Sequence, residues 1–529
     1  GEITEATVAI PKEQGQLKDM AINLTDYVRN PQEEAQKIRG LLFSQYIGGS
    51  IASALVNMTQ PFAVTMPYLS QYGGMAKSAA NMQRAVRDVM AKTTGDAVLD
   101  KALKHAEDEG IVAPQEVHQL MAQARGQGSL KSGDGTLKGN AIAGVQNLAS
   151  KVGLAWGKPF SIAEQFNRRV TFIAAYRTAV AHGMGDPVAF AVKAINDTQF
   201  VYNKGNKPQW ARGAVGGIVF TFKQYSISYT ELLHRMATQG GPQGKKAALW
   251  SLAMLMLLSG AGGLPFASDA EDILDGIMQS LGYSWSTKQV RKQFLINTLG
   301  AGAADFVERG VSGLPGAPID VSGRLGMGNL IPGTGLLVHK ADHARDVTEI
   351  AGPMADLVSR AYTGAGQALD GHPILGAMTM SPKASENLRK GVEMLLDGEY
   401  KDAKGRKVMN VSTADGIGKL IGFQPNDVAE ESSRAYAVQN FRAQNTLAKS
   451  EFAADMAQAV NDKDFEAQKA VRHDVAEWNR KNPHSPMTID MAAVRRRVMA
   501  MRQDRATRAA KAAPKAIRAE VKAQLKEGT

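Results

Sequence analysis

Leu388, Val392 and Leu395 recur at helical spacing, in a segment that Ser381-Pro382 opens and Gly398 closes. Such a stripe between a start signal and a stop signal predicts an amphipathic helix. The same punctuation runs along much of the chain. Asn30-Pro31, followed by Glu33 and Glu34, reads as an N-cap, a first helical position and an acidic first turn. Ser161-Ile-Ala-Glu164 has the form of a capping box, opening a helix expected to stop near Gly183, and Asp186-Pro187 starts the next. Ser268-Asp-Ala-Glu271 has the same form. Residues 426–480 read as polar helix broken near Asn461–Asp464. Little strand is expected. The clearest candidate is a hairpin over 398–411, with its turn near Asp402–Gly405. The expected fold is therefore all-α for the most part, a multi-helix elongated assembly with ordered Gly/Pro-rich loops and at most this small β-hairpin.

Two stretches carry no charge at all. Residues 40–76 read GLLFSQYIGGSIASALVNMTQPFAVTMPYLSQYGGMA, and residues 247–268 read AALWSLAMLMLLSGAGGLPFAS. A bilayer span needs about 20 predominantly apolar residues. The first stretch is interrupted by Pro61, Pro67 and many small polar residues. The second is strongly apolar only over 247–258, a length typical of a buried core helix. Both are read as core or subunit-interface helices, with conditional membrane insertion as the alternative. On that reading Leu249, Trp250, Leu252, Met254, Leu255, Met256, Leu257 and Leu258 are the candidate membrane or subunit interface. Small residues at 48–54 permit close helix packing in either solvent.

Two loops stand out. Residues 126–139 hold five Gly in GQGSLKSGDGTLKG and read as a mobile linker. Residues 310–335 mix Gly and Pro with Leu, Val, Ile and Met, which fits an ordered irregular loop with a buried side. These signals divide the chain into an N-terminal helical region (1–125), the linker (126–139), a central helical core (140–310), a loop, helix and hairpin region (311–425), polar helices (426–484) and a basic helical tail (485–529).

Composition narrows the chemistry. The 529 residues contain no Cys, which excludes disulfide scaffolds, Cys-ligated zinc, iron–sulfur clusters and thiol catalysis. With 44% apolar and 21% charged residues, the chain is globular rather than disordered. Residues 1–40 hold no continuous apolar run, so no signal peptide is expected there. The net charge of +11 is unevenly spread. Residues 491–529 hold eleven Lys or Arg against Asp504, Glu520 and Glu527, so +8 of it lies in the tail. Arg495, Arg496, Arg497, Arg502, Arg505, Arg508, Lys511, Lys515 and Arg518 are the candidate polyanion contacts. Clustered cations suit phosphates, and the absence of aromatics in the tail argues against stacking on single-stranded bases. Anionic lipid or an acidic protein collar is the other reading. Pro514 is expected to bend or break the tail helix.

No motif for enzymatic chemistry assembles in the sequence. There is no phosphate-binding GxxxxGK[ST], no HExxH and no GxSxG. GAGG at 260–263 precedes no βαβ pattern. His339 and His343, with Asp342 or Asp346, are a weak metal signal and are read as solvated helix residues. The acids Asp269, Glu271, Asp272 and Asp275 are read as complementing a helix N-terminus. The expectation is a non-enzymatic protein with no cofactor and no metal.

Several longer stretches look familiar together: 57–74 (NMTQPFAVTMPYLSQYGG), 166–179 (FNRRVTFIAAYRTA), 207–235, 318–335 (PIDVSGRLGMGNLIPGTG) and 476–498 (AEWNRKNPHSPMTIDMAAVRRRV). In this order they resemble the C-terminal region of very large tailed-phage internal virion proteins, the PLxRFG-type domain. Arg324-Leu325-Gly326 after Pro318 comes nearest to the eponymous motif. The resemblance implies an internal core or ejection protein. It would sit inside the capsid as a homo-oligomeric ring above the portal, with portal, other internal virion proteins and double-stranded DNA as partners. On infection it would rebuild a conduit across the host envelope, through the periplasm and the inner membrane. A protein that threads a tail must lack cross-links, and helices with local contacts refold more easily than sheets. A Gly1 start is compatible with cleavage from a longer polyprotein. Two other readings stay open: a fragment of a virion polymerase, protease or cell-wall hydrolase, and a capsid-internal DNA-packing module that is not ejected.

Overall fold

The structure, a computed structural model, describes residues 18–19, 21–23, 25–26, 41–42, 44–112, 137–200, 212–331, 333–340, 353–402, 405–502, 507, 510 and 513–527. The Asn30-Pro31 helix start and residues 126–136 of the Gly-rich segment lie outside them. The described residues are predominantly helical, with two small two-stranded antiparallel sheets. One is the expected hairpin: Glu399–Lys401 pairs with Lys407–Asn410, and the Gly405 N–H closes the turn on the Asp402 carbonyl. The other joins Ile319–Asp320 to Gln424–Pro425. The chain falls into two compact units: residues 1–269, 291–333 and 344–431, and residues 270–290, 334–343 and 432–529.

The core of the first unit is built by helices Met66–Gly73, Met75–Ala91, Leu137–Ala181, Pro187–Thr198, Ala214–Gln239 and Gly241–Ser259. Leu69, Met82, Phe172, Ile173, Ile195, Tyr229 and Leu232 are fully buried there. The charge-free 40–76 stretch enters this core through Ala63, Val64, Met66, Tyr68 and Leu69, while Leu41, Ile51, Leu55, Phe62 and Tyr72 stay exposed. It forms helix Ile51–Asn57, a π-helical turn Pro61–Thr65 and helix Met66–Gly73. Its prolines explain one tertiary contact. Pro67 lacks the N–H that would bond the Ala63 carbonyl four residues back. Ser251, from helix Gly241–Ser259, donates to that carbonyl instead at 2.9 Å and lies 3.0 Å from the Tyr229 hydroxyl.

A second polar seam joins three helical segments. Thr65 Oγ1 lies 3.1 Å from Thr171 Oγ1 and 2.9 Å from Thr198 Oγ1, Gln199 Nε2 donates to Thr65 and Thr171, and Gln60 Nε2 donates to the Thr198 carbonyl. All of these side chains are buried. Apart from Gln199 Oε1, which has no partner among the described residues, these buried polar groups are hydrogen-bonded to one another and fix which helix faces meet, where an apolar contact would allow sliding.

The Ser161–Glu164 capping box is a correction. Helix Leu137–Ala181 runs through it, with Pro159 inside, and ends two residues before Gly183. Ser161 and Glu164 are buried within the helix. Glu164 accepts from Asn57 Nδ2 at 2.6 Å and lies 3.8 Å from the Arg168 guanidinium. Burial pushes its carboxyl upward, while Arg168 and Asn57 pull it back. A Ser-x-x-Glu string also fits one interior helical turn, and continuous helix on both sides decides between the two. Asp186, by contrast, caps helix Pro187–Thr198 as expected, accepting from the Ala189 N–H.

Helix Lys383–Asp397 ends at a left-handed Gly398, as the sequence predicts. Its packing differs from the stripe, however. Gly391 and Met394 are buried and Leu388 and Val392 stay exposed, while Leu395, though 38% exposed, packs against Gly416 of helix Thr413–Ile421. The buried face is the one where helix Thr413–Ile421 comes closest. A Cβ at Gly391 would meet the Leu420 backbone N at 2.4 Å. The 310–335 loop is ordered, with Gly310, Ser312, Gly313 and Met327 buried and the Met327 N–H donating to the Gly263 carbonyl.

Helix Asn426–Asn461, which belongs to the second unit from Ser432 on, and helix Phe465–Lys481 break where the sequence predicts, with Lys463 left-handed between them. Ala453, Met456, Ala457, Val471, Val494 and Val498 form the core of the second unit. Trp478 and Met487 pack beside Phe452.

Candidate assembly surface and polyanion contact

Helix Gly241–Ser259 is longer than its 12-residue apolar heart, and its two faces differ in side-chain size. Gly244, Ala247, Ala248, Ser251, Leu255 and Ser259 turn inward. Small residues there let the helix approach its neighbours closely. A Cβ on Gly244 would lie 2.3 Å from the Met236 carbonyl oxygen. The large side chains are displaced outward by the same geometry. Leu249 is 66% exposed, and Trp250, Met256 and Leu257 are about 40% exposed. At 100° per residue these four fall on one face, opposite the small-residue seam. The candidate interface set is thereby divided. Leu255 is a core residue, Met254 and Leu258 pack half-buried against the core, and Leu252 is half-buried. Among the described residues no helix is long and apolar enough to cross a membrane.

The basic tail begins with helix Met491–Met501, capped by Asp490, whose carboxylate accepts from the Ala492 and Ala493 N–H groups. The Ala493 N–H, with Ala492 and Arg496 beside it, holds the Asp490 carboxyl below its usual range. Val494 and Val498 anchor one side in the core of the second unit, so Arg495 and Arg496 project into solvent. Arg497 does not: its Nη2 donates to Ser450 Oγ at 2.7 Å. Arg502 Nε donates to Asn461 Oδ1 at 3.3 Å. Arg505, Arg508 and Lys511 lie outside the described residues. Pro514 acts as expected, standing before a 3-10 turn from which helix Arg518–Glu527 resumes. Lys515 and Arg518 are exposed there, with Arg518 Nε on the Ala513 carbonyl.

No family model, curated protein or solved structure matches this chain. The assignment of surfaces therefore rests on geometry. Of the acids at 269–275, Asp269 stands in the first turn of helix Ala267–Ser280, as the sequence reading had it, while Asp272 and Asp275 bond elsewhere. Asp269 is buried and accepts from the Leu330 and Ile331 N–H groups, so it pins the irregular loop. Asp272 pairs with Lys340 at 3.4 Å. Asp275 accepts from the Thr287 N–H at 2.6 Å, at the start of a different helix, Thr287–Leu299. Helix Ala267–Ser280 begins before Ser268, so the Ser268–Glu271 box does not open it.

His339 is exposed and bonds Gln279, while His343 lies outside the described residues. A different acidic group, His473, Asp474 and Glu477, lies on helix Phe465–Lys481. Glu477 is already held by Lys481 at 2.9 Å.

Sequence reading missed one structural device in the second unit. Asn479 Nδ2 donates to the Met487 carbonyl and its Oδ1 accepts from the Met487 N–H, so one side chain closes the loop before the basic helix. Asn482 does similar work on the 282–284 turn, accepting from the Ser284 N–H and donating to the Gly282 carbonyl. Asn479 and Asn482 of the 476–498 string carried this signal, since Asn side chains mimic backbone partners.

Replacing Arg495 and Arg496 with Gln is expected to flatten the dependence of log K on log salt for duplex DNA by about 1.8, at 0.9 per phosphate. Replacing Arg497 adds less, because Ser450 already holds it. Fluorescence anisotropy on two duplexes of unrelated sequence, at several NaCl concentrations, reads both slope and sequence independence. An unchanged slope removes DNA from the tail's partners.

Proposed function

We propose that this chain is a structural component of the genome-ejection machinery of a tailed phage. In this reading it assembles as a homo-oligomeric ring inside the capsid near the portal. It then takes part in a conduit across the host envelope, where the inner membrane is a further partner. The portal, other internal virion proteins and double-stranded DNA are the partners at the ring stage. The observation that carries the proposal is the outward apolar face of helix Gly241–Ser259, with Leu249, Trp250, Met256 and Leu257 side by side. Contiguous exposed apolar surface marks an interaction site. The exposed Arg495 and Arg496, on a helix anchored by its valines, supply a phosphate-facing surface of the kind the proposal needs.

The test has two parts. Purified chain examined by sedimentation and negative-stain electron microscopy is expected to form closed oligomers, and a monomer at micromolar concentration overturns the ring. Virions analysed by mass spectrometry before and after genome release are expected to lose the chain. Retention in emptied capsids overturns ejection and favours the DNA-packing reading.

A further inference from the structure

A small cleft in the first unit concentrates cations that the ring proposal does not use. Its walls include Asp320, Arg324, Asn387, Lys419, Gly422 and Gln424, and its volume is about 180 Å³. Four short elements converge there. Arg324 comes from the one-turn helix Ser322–Leu325, Asn387 from helix Lys383–Asp397, Lys419 from the last turn of helix Thr413–Ile421, and Gln424 from the strand that follows.

Lys419 is 9% exposed, and its ammonium donates to a neutral partner, Gln424 Oε1, at 2.8 Å. Arg324 donates to the Gly422 carbonyl at 2.6 Å and to Ser53 Oγ at 3.3 Å, with its guanidinium 5.8 Å from the Phe423 ring centroid. Neither cation has a carboxylate of the described residues within ion-pair distance. The one acid in the lining, Asp320, spends Oδ1 on the Ser322 N–H and hydroxyl. Lys383 and Lys390 add further positive charge nearby. They share Glu386 with Arg360. Burial alone would raise the Glu386 carboxyl, but these cations outweigh it and bring it down to about 2, so that charge is already committed.

A buried charge without a counter-ion is costly. The cost is visible at Lys419. Burial first, then Lys390, Arg324 and Lys383, against the opposing pull of Glu386, bring its amine down to about 8. A bound dianion would supply the missing counter-charge. Lysine serves as a point charge for phosphate groups, and the Asn387 and Gln424 amides offer neutral donors beside it. Cationic walls disfavour a metal ion. The volume corresponds to roughly six waters at about 30 Å³ each, ample for one tetrahedral oxyanion.

We propose that this cleft binds a phosphate-class oxyanion, with Lys419 and Arg324 as its charged ligands. The site is independent of the ring assignment.

Sulfate is the first probe, because its charge does not change across the working pH range. Calorimetric titration of the full chain with sulfate near neutral pH is expected to show one saturable site. Lys419→Met, which keeps side-chain volume and removes the buried charge, is expected to fold as well as the parent by circular dichroism and to weaken binding at least about tenfold. The wild-type affinity should also fall as pH rises through 8. With an amine at about 8, the charged fraction drops roughly thirtyfold between about pH 6.5 and 9.5. Inorganic phosphate and glycerol 3-phosphate then separate two sources of the same chemistry. Binding of both places a phosphate monoester in the cleft, and binding of phosphate alone places the free ion there. Absence of saturable sulfate binding, equal binding by Lys419→Met, or an affinity unchanged by pH each overturns the proposal.

Discussion

Replacing Leu249 and Leu257 with Glu is expected to weaken self-association by at least about 100-fold while leaving the fold intact. Both side chains lie on the outer face of helix Gly241–Ser259, where they contribute little to the core of their own unit. Fully burying a leucine in a partner contact is worth about 1.5–3 kcal/mol. Two half-used leucines therefore supply roughly 3 kcal/mol, and the carboxylates that replace them resist desolvation further. At about 1.4 kcal/mol per decade, the loss exceeds two orders of magnitude. Glu is nearly as good a helix former as Leu, so helix content should not change. Sedimentation velocity over a concentration series reads the association, and circular dichroism reads the fold. Equal association of variant and parent removes this face from the assembly. The same substitution made at Leu255 is expected to unfold the first unit, because that residue is 2% exposed.

Gly260→Ala is expected to destabilise the first unit by about 4 kcal/mol, while Gly262→Ala two residues later stays within about 0.5 kcal/mol. Gly260 has φ 77° and ψ −178°, a region essentially restricted to glycine. A Cβ there would also stand 2.2 Å from the Glu308 carbonyl oxygen and 2.4 Å from the Arg309 nitrogen. Gly310 is approached as closely from the other side, since a Cβ there would stand 2.5 Å from the Leu257 carbonyl oxygen and 2.8 Å from the Gly260 nitrogen, so the two turns leave each other little room to shift. Gly262 has open space at its Cβ and no positive φ. At roughly 2 cal/mol/K of unfolding entropy per residue, the Gly260 loss lowers Tm by about 5 °C for a unit of this size. Differential scanning calorimetry of the two variants decides it. Similar Tm values for both would mean that the 260 and 310 turns do not interlock.

Sequence and structure divided the work unevenly. Helix class, the 398–411 hairpin, the break near residues 461–464 and the stop at Gly398 were legible because each depends on a few adjacent residues. Propensity, capping and turn chemistry act over one or two turns of chain. The charge asymmetry of the tail was legible for the same reason, as a property of residue order alone.

What needed the tertiary structure was every question about which side of an element faces what. The stripe Leu388, Val392 and Leu395 looked like a core face, yet Gly391 and Met394 are buried, because a glycine lets helix Thr413–Ile421 approach nearer than any side chain allows. The apolar helix at 241–259 was visible, but its inward face is its small-residue face, and the large side chains point to solvent. Arg497 differs from Arg495 and Arg496 only because Ser450, 47 residues earlier in the chain, meets it. The pairing of Lys419 and Arg324 in one cleft joins residues 95 positions apart and has no local signature. Local rules fix the elements of this chain. The close approach of backbones, set by where glycine, alanine and serine fall, decides which residues are left facing outward to act.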